Sequence, residues 1–441
     1  MIKRSVVFVL VLLVATGMAL ASPADEAGSS AEELTYWYAG TDAEIAFVQA
    51  AVDEYNAQSS GPVIKMVERP ASNEAMATAI AGGQGPDIMH YNHNTVWFFG
   101  LDSIYDLKEF VLDGEIGLDS ASFMPAPRMS VNYGGKVIAL PISFGLGAVM
   151  YNARLVEEAG LDAGDPPQTW AEFEEWAQAL TIREGEETVQ WGVTVDSVDW
   201  LLQEVMFANG GDWNNDDMSE YAPFKEELIG GVAWIDRLVN ELEVMPIPRG
   251  VTWTGTSQML AGEQGFENET IAMKIGHSGF SGELAINPDL RIGLFPIPRG
   301  PLAGDTVRIS TGYNGLHVMF NSADPRESYL FMKWMVENKA ADLAALTTSF
   351  PAYAGNLDSY RNDPTFAAMV DHLLKSPVRR FHVFPARLDV RSEEPAVVEN
   401  VLLGRMTPRE SVENFKEHAT RVFAENRMEL DEFISIQEPV W

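Results

Sequence analysis

Cysteine is absent from all 441 residues. That excludes disulfides, thiol nucleophiles, thiolate metal sites and the lipidated cysteine by which a bacterial lipoprotein is anchored. Basic residues are scarce: 30 Lys and Arg stand against 64 Asp and Glu, leaving a formal net charge of −34. Such a surface argues against nucleic acid or an anionic membrane held through bulk charge, and it suits a salty habitat or plain solubility. The seven histidines are scattered, with no H-E-x-x-H pattern. His90 and His93 are three apart, but an extended segment would not aim both rings at one metal. No G-x-G-x-x-G and no Gly-Lys-Ser/Thr follows Gly82, Gly83 and Gly85, so no nucleotide loop is expected. With 64 carboxylates, neighbouring acids such as Glu174-Glu175 carry no weight as an acid/base pair. No cofactor and no metal are expected.

The chain does have length and apolar content enough for two cores: 46% of its residues are hydrophobic and 10% aromatic, and a single core seldom grows to this size. Its start has the layout of an export signal. Lys3 and Arg4 precede an apolar run, Val6 to Val14, that is short for a membrane span, and Ala19-Leu20-Ala21 forms a cleavage site. Residues 1–21 are expected to be removed and 22–33 to form a flexible leader. The mature protein is expected to be exported, soluble and monomeric.

Strand and helix signals then alternate. Leu34 to Tyr38, Val63 to Val67 and Asp87 to Tyr91 read as strands, and helices led by Thr41 and by Asn73 separate them. This order predicts a parallel, doubly wound sheet whose ligand sits beyond the carboxyl ends of the strands. Tyr38, with Ala39 and Gly40, falls on that rim, as do Tyr91, Asn92, His93 and Asn94. From Gly135 to Leu180 the chain reads as two strands, Lys136–Leu140 and Ala148–Tyr151, interrupted by Pro141, with Gly145 and Gly147 permitting unusual backbone angles. A capped helix follows from Thr169, with Trp170, Phe173, Trp176 and Leu180 on one face. A segment that changes course between two strands is how two lobes would share a hinge.

This stretch resembles the signature of the family 1 extracellular solute-binding proteins, the maltose-binding-protein-like receptors of ABC importers. The matching elements are Gly135-Lys136, Pro141, Tyr151-Asn152 and Pro167 to Glu172, preceded by Gly85-Pro86-Asp87. Asp87 is read as structural, a turn carboxylate at the start of its strand. The resemblance implies an α/β fold of two lobes, each a doubly wound sheet flanked by helices, with a ligand cleft between them. Residues 34–140 plus 292–345 would make the N-terminal lobe and 145–290 plus 346–441 the C-terminal lobe. Hinge crossings would lie near 141–145, 290–292 and 345–350. The partners implied are a small solute, expected to be a carbohydrate and specifically an oligosaccharide, and a membrane permease driven by ATPases. Members that bind maltose carry an acid in the crossing segment where this chain has Phe144-Gly145, so maltose itself is not implied.

Sugars need aromatic faces for their C–H surfaces and oriented amides or hydroxyls for their oxygens. The rim loops offer such mixtures at Tyr38, Tyr91-Asn92, Trp213-Asn214, Trp253 and Tyr313-Asn314. The resemblance adds Trp213 as a stacking residue on a Gly-Gly loop, His277 and Phe280 on a loop facing the cleft, and Phe144 at the crossing. Asp212, Asn214 and Asp216 open like a calcium loop, but Asp217 stands where glycine is needed, so a plain turn is expected. Two rival classes stay open: a receptor for a non-sugar solute, either a polyamine or a phosphorylated polyol for whose phosphate Arg387 and Arg391 are candidate contacts, and a secreted carbohydrate-active enzyme.

Overall fold

Three helices begin where a hydroxyl is followed three residues later by glutamate. Thr41, Thr169 and Thr407 each accept the N–H of Glu44, Glu172 and Glu410, whose carboxylates bond back to the threonine N–H groups. These reciprocal bonds satisfy N–H groups that a helix start leaves orphaned. The computed structural model describes residues 31–196, 198–212, 226–247, 265–304, 309–353, 357–375, 378–380, 390, 392–426 and 440–441.

The first part of the chain forms β1 (Glu33–Tyr38), α1 (Asp42–Gln58), β2 (Val63–Glu68), α2 (Asn73–Ala81) and β3 (Ile88–Asn92). The strands are parallel in the order β2-β1-β3, as strands joined by helical crossovers must be. Side chains alternate across β1. Leu34, Tyr36 and Tyr38 enter the main core, while Trp37 joins Met76, Met89, Tyr91 and Met319 on the opposite face. Both faces are covered, so both sets are apolar.

The sheet continues through β4 (Leu140–Asn152), β5 (Glu187–Val195), β6 (Ile271–His277) and β7 (Ile292–Phe295) to β8 (Ile309–Val318). On one side β8 lies between β3 and the first half of β4, antiparallel to both. On the other side the second half of β4 pairs antiparallel with β6, which pairs parallel with β5. Strand β4 therefore belongs to two half-sheets, each flanked by helices, in an α/β fold of two lobes.

The expectation of two strands broken at Pro141 needs correction. All 13 residues of β4 are buried in one continuous strand. Proline is accommodated because the register slips at that point: Gly315 faces Pro141, Asn314 faces Ser143, and Ile142 is the extra residue. A bulge removes the need for the N–H that proline lacks. Gly145 and Gly147 are likewise not there for unusual angles, since neither has a positive φ. A side chain at Gly145 would overlap the His277 ring, and one at Gly147 would overlap the Glu204 carboxylate.

Helix α3 (Pro325–Leu346) extends past Asn338, where the sequence signal weakens, because Ala340, Leu343 and Ala344 are buried. Asp87 fastens three segments. Its Oδ2 accepts from the Thr35 N–H at 2.8 Å and the Thr35 hydroxyl at 2.9 Å, and its Oδ1 accepts from the Ala323 N–H at 2.7 Å. Removing this carboxylate strands two backbone donors. Asp87→Ala is expected to lower unfolding free energy by about 2–3 kcal/mol, read from denaturant midpoints; a loss below about 0.5 kcal/mol, the size of a neutral surface change, would contradict the role.

Candidate ligand cleft

The carboxyl ends of β1 and β3 meet elements of the other half-sheet around a cavity of about 330 Å³. This is at the lower end of the roughly 300–1,000 Å³ range of small-molecule sites. The first half contributes Tyr38 from the end of β1, Arg69 just beyond β2, His90, Tyr91 and Asn92 from β3, Ser143 from β4 and Asn314 from β8. Glu44 of α1 also reaches it. The other side is made by His277 at the end of β6, Gly279, Ser281 and Gly282 at the start of the helix Ser281–Ile286, and Thr347 and Ser349 after α3.

On β4 and β8, strand alternation decides which side chains face the cavity. Ser143 pairs with Asn314, and both line it; the next rung pairs Phe144 with Tyr313, and neither does. Adjacent residues on a strand point to opposite faces. Phe144 is fully buried against Phe350, with ring centroids 5.6 Å apart. Tyr313 is buried with its hydroxyl unpartnered, and burial pushes that hydroxyl's pKa far up. Phe280 is buried and stacks on Phe366 at 5.9 Å. Asn94 lies just outside the cavity, its N–H bonded to Asn92 Oδ1 at 2.9 Å. Of the residues expected at the site, Tyr38, Tyr91, Asn92 and His277 are brought together, whereas Asn94, Phe144, Phe280 and Tyr313 pack behind or beside them. Trp213, Trp253, Arg387 and Arg391 lie outside the described residues.

Sequence reading missed Arg69, Glu44, His90 and Ser143. Arg69 was findable, because the rim argument applied to β1 and β3 holds equally for β2. Glu44 was read only as a helix cap; it keeps that bond to Thr41 N–H at 3.0 Å while its residue lines the cavity.

The walls are polar but mostly uncharged. Burial, with Arg69 and His317 nearby, pushes His90 down to about 3, so its ring is neutral at pH 7 and meets the Tyr36 hydroxyl at 3.2 Å through Nδ1. Burial and Lys274 likewise lower His277, against the pull of Asp196. Tyr91 is pushed up to about 12, chiefly by burial, and donates its hydroxyl proton to Asn73 Oδ1. The cavity thus offers two phenol rings, amides, hydroxyls and neutral imidazoles, beside one guanidinium and one carboxylate. Such a set can grip an oxygen-rich small molecule from two sides. Among the described residues no group of three His, Asp or Glu side chains is placed to hold a metal ion.

Two expectations follow. Gly145→Ala should lose roughly 1–3 kcal/mol through overlap with His277, and much less in a His277→Ala background; additive losses in the double-mutant cycle would contradict the contact. The second concerns acid. His90 at about 3, and His317 and His372 at about 4, are all held down by burial, below an unfolded value of about 6.5. The unfolded chain therefore binds more protons, so stability is full above pH 6.5 and falls as pH drops from there toward 4. Each ring contributes up to about 1.4 kcal/mol per pH unit. Urea midpoints from pH 7 to 4.5 check this, and His317→Gln should flatten the decline; an unchanged slope would refute it.

Comparison with known proteins places these features. Residues 50–370 match the family model described as bacterial extracellular solute-binding protein. A maltotriose-binding protein from Pyrococcus abyssi is 24% identical over 207 residues, covering 47% of this chain and 43% of that protein. The alignment thus spans less than half of that relative's length. An ABC substrate-binding protein from Listeria monocytogenes, solved in complex with cycloalternan, superimposes with a TM-score of 0.73 at 20% identity, over 90% of this chain and 99% of that one. The GacH receptor of Streptomyces glaucescens, solved unliganded and with acarbose, gives 0.69 at 21% identity, over 90% and 100%. At these identities the structural matches establish a shared fold.

Proposed function

Because the chain belongs to the bacterial extracellular solute-binding protein family, we propose that it is an extracytoplasmic receptor that captures an oligosaccharide and hands it to the permease of an ABC transporter. The observation that carries this reading is the cavity between the half-sheets, where Tyr38 and Tyr91 stand among Asn92, Asn314, Ser143 and Thr347. Rings take the C–H faces of a sugar, and the amides and hydroxyls take its oxygens. The relatives named above, described as binding maltotriose, cycloalternan and acarbose, support the same ligand class.

In this reading residues 34–140 plus 292–345 form one lobe and 145–290 plus 346–441 the other, with hinges near 141–145, 290–292 and 345–350. Ligand contacts from both lobes are complete only when the cleft is closed, and that difference drives closure. The protein acts as a binder and catalyses nothing. It works as a monomer, with residues 1–21 removed on export. No helix among the described residues is long and apolar enough to cross a membrane, which suits a receptor that meets its permease from outside.

A thermal-shift screen of the purified chain tests the proposal. Maltotriose, mannotriose and cyclic maltodextrins are compared with glycerol 3-phosphate and spermidine. A bound saccharide at 100 times its Kd adds about 2.7 kcal/mol of stability, so at least one should raise the melting temperature measurably. Stabilisation by glycerol 3-phosphate or spermidine alone would replace the ligand class. No shift with any saccharide, together with hydrolysis of one, would overturn the receptor reading in favour of a secreted enzyme.

A further inference from the structure

We propose that Arg69 reads an oxyanion on the bound saccharide, a uronate carboxylate or a phosphate ester, so that the cleft selects acidic sugars over neutral ones. This rests on the saccharide reading above and sharpens it.

Arg69 follows β2 directly, and its N–H donates to the Tyr38 carbonyl at 2.9 Å, continuing the ladder to β1. Its backbone is therefore held at the rim. Its guanidinium carbon lies 4.9 Å from the centre of the Tyr91 ring, and Tyr91 is itself tied through its hydroxyl to Asn73. A guanidinium stacked on an anchored ring is pre-oriented, with its donor edges left to meet a partner.

That partner is not in the protein. The Arg69 Nε is buried with no acceptor, and among the described residues no carboxylate stands within ion-pair distance of its guanidinium. Lys274 is matched with Asp196 and Glu283, and Lys339 with Glu54, whereas Arg69 combines a missing ion pair with a buried donor that has no acceptor. A ligand oxyanion would supply both the counter-charge and the acceptor.

Its surroundings favour a ligand anion over a neutral hydroxyl. Tyr38, His90, Asn92, Ser143 and Asn314 line the same cavity and bring no charge at neutral pH, His90 being held unprotonated by burial. The one carboxylate lining it is Glu44, and its Oε2 is engaged by the Thr41 N–H at 3.0 Å. A hydrogen bond from guanidinium to an anion is roughly twice as strong as one between neutral groups, and a carboxylate or phosphate accepts the fork in two places at once.

The test is calorimetric titration of the purified chain with matched disaccharides built on glucose, galactose and mannose. Each series has a neutral member, one carrying a uronate and one carrying a 6-phosphate. An acidic member should bind at least about tenfold tighter than its neutral counterpart, a difference of about 1.4 kcal/mol, and the uronate and phosphate arms identify the oxyanion. Arg69→Gln should erase the preference, lowering affinity for acidic members at least about tenfold more than for neutral ones. Arg69→Lys should keep part of the preference. Neutral members binding as tightly as acidic ones to the unmodified protein would overturn the proposal while leaving the saccharide reading intact. Equal losses for neutral and acidic members in Arg69→Gln would also overturn it. No binding by any member would sink both readings.

Discussion

Everything in this molecule hangs on one rung of one ladder. Gly145 of the crossing strand faces Gly312 of the returning strand, and neither position can carry a side chain. The space above Gly145 is filled by His277 and the space above Gly312 by His93. These rings come from opposite half-sheets, so both halves lean on the strand pair that joins them. The Thr311 hydroxyl donates to the Gly145 carbonyl at 3.1 Å, and the Leu146 N–H donates to Ser278 Oγ at 3.1 Å. Steric fit, rather than backbone freedom, is what the glycines provide. The hinge proposed above needs a connection that holds its register, and this packing supplies it.

The cleft inherits its chemistry from the same geometry. Because the ladder alternates, Ser143 and Asn314 face the cavity while Phe144 and Tyr313 face the core. Hydroxyl and amide line the space where a solute would lie, and the rings stiffen the wall behind them. Burial keeps His90 neutral and lowers His277, so the walls present hydrogen bonds rather than a dense field. Arg69 is the one guanidinium and Glu44 the one carboxylate lining the cavity among the described residues.

Much of this was legible in the chain, and the misses have a common cause. Capping boxes at Thr41, Thr169 and Thr407 could be read because the signal is contained in four consecutive residues. The parallel order of the first three strands could be read from their alternation with helices, and with it the rim residues Tyr38, Tyr91 and Asn92. Properties that depend on distant partners could not be read. Pro141 looked like a strand break because the bulge that accommodates it is set by Asn314 and Gly315, more than 170 positions away. Phe144 and Tyr313 were expected at the ligand because strand direction, which a one-residue shift inverts, is fixed only by pairing. Arg69 was passed over although its position after a parallel strand was plain. What marks it out, a ring-stacked guanidinium with no carboxylate in ion-pair distance among the described residues, exists only in three dimensions.

Two lobes joined at the Gly145–Gly312 rung are proposed to close over a saccharide between them. Small-angle X-ray scattering of the purified protein, free and saturated with the saccharide that stabilises it most, measures this directly. Binding should give a smaller radius of gyration and a distance distribution that loses its longest vectors. Identical scattering curves at full occupancy would contradict it.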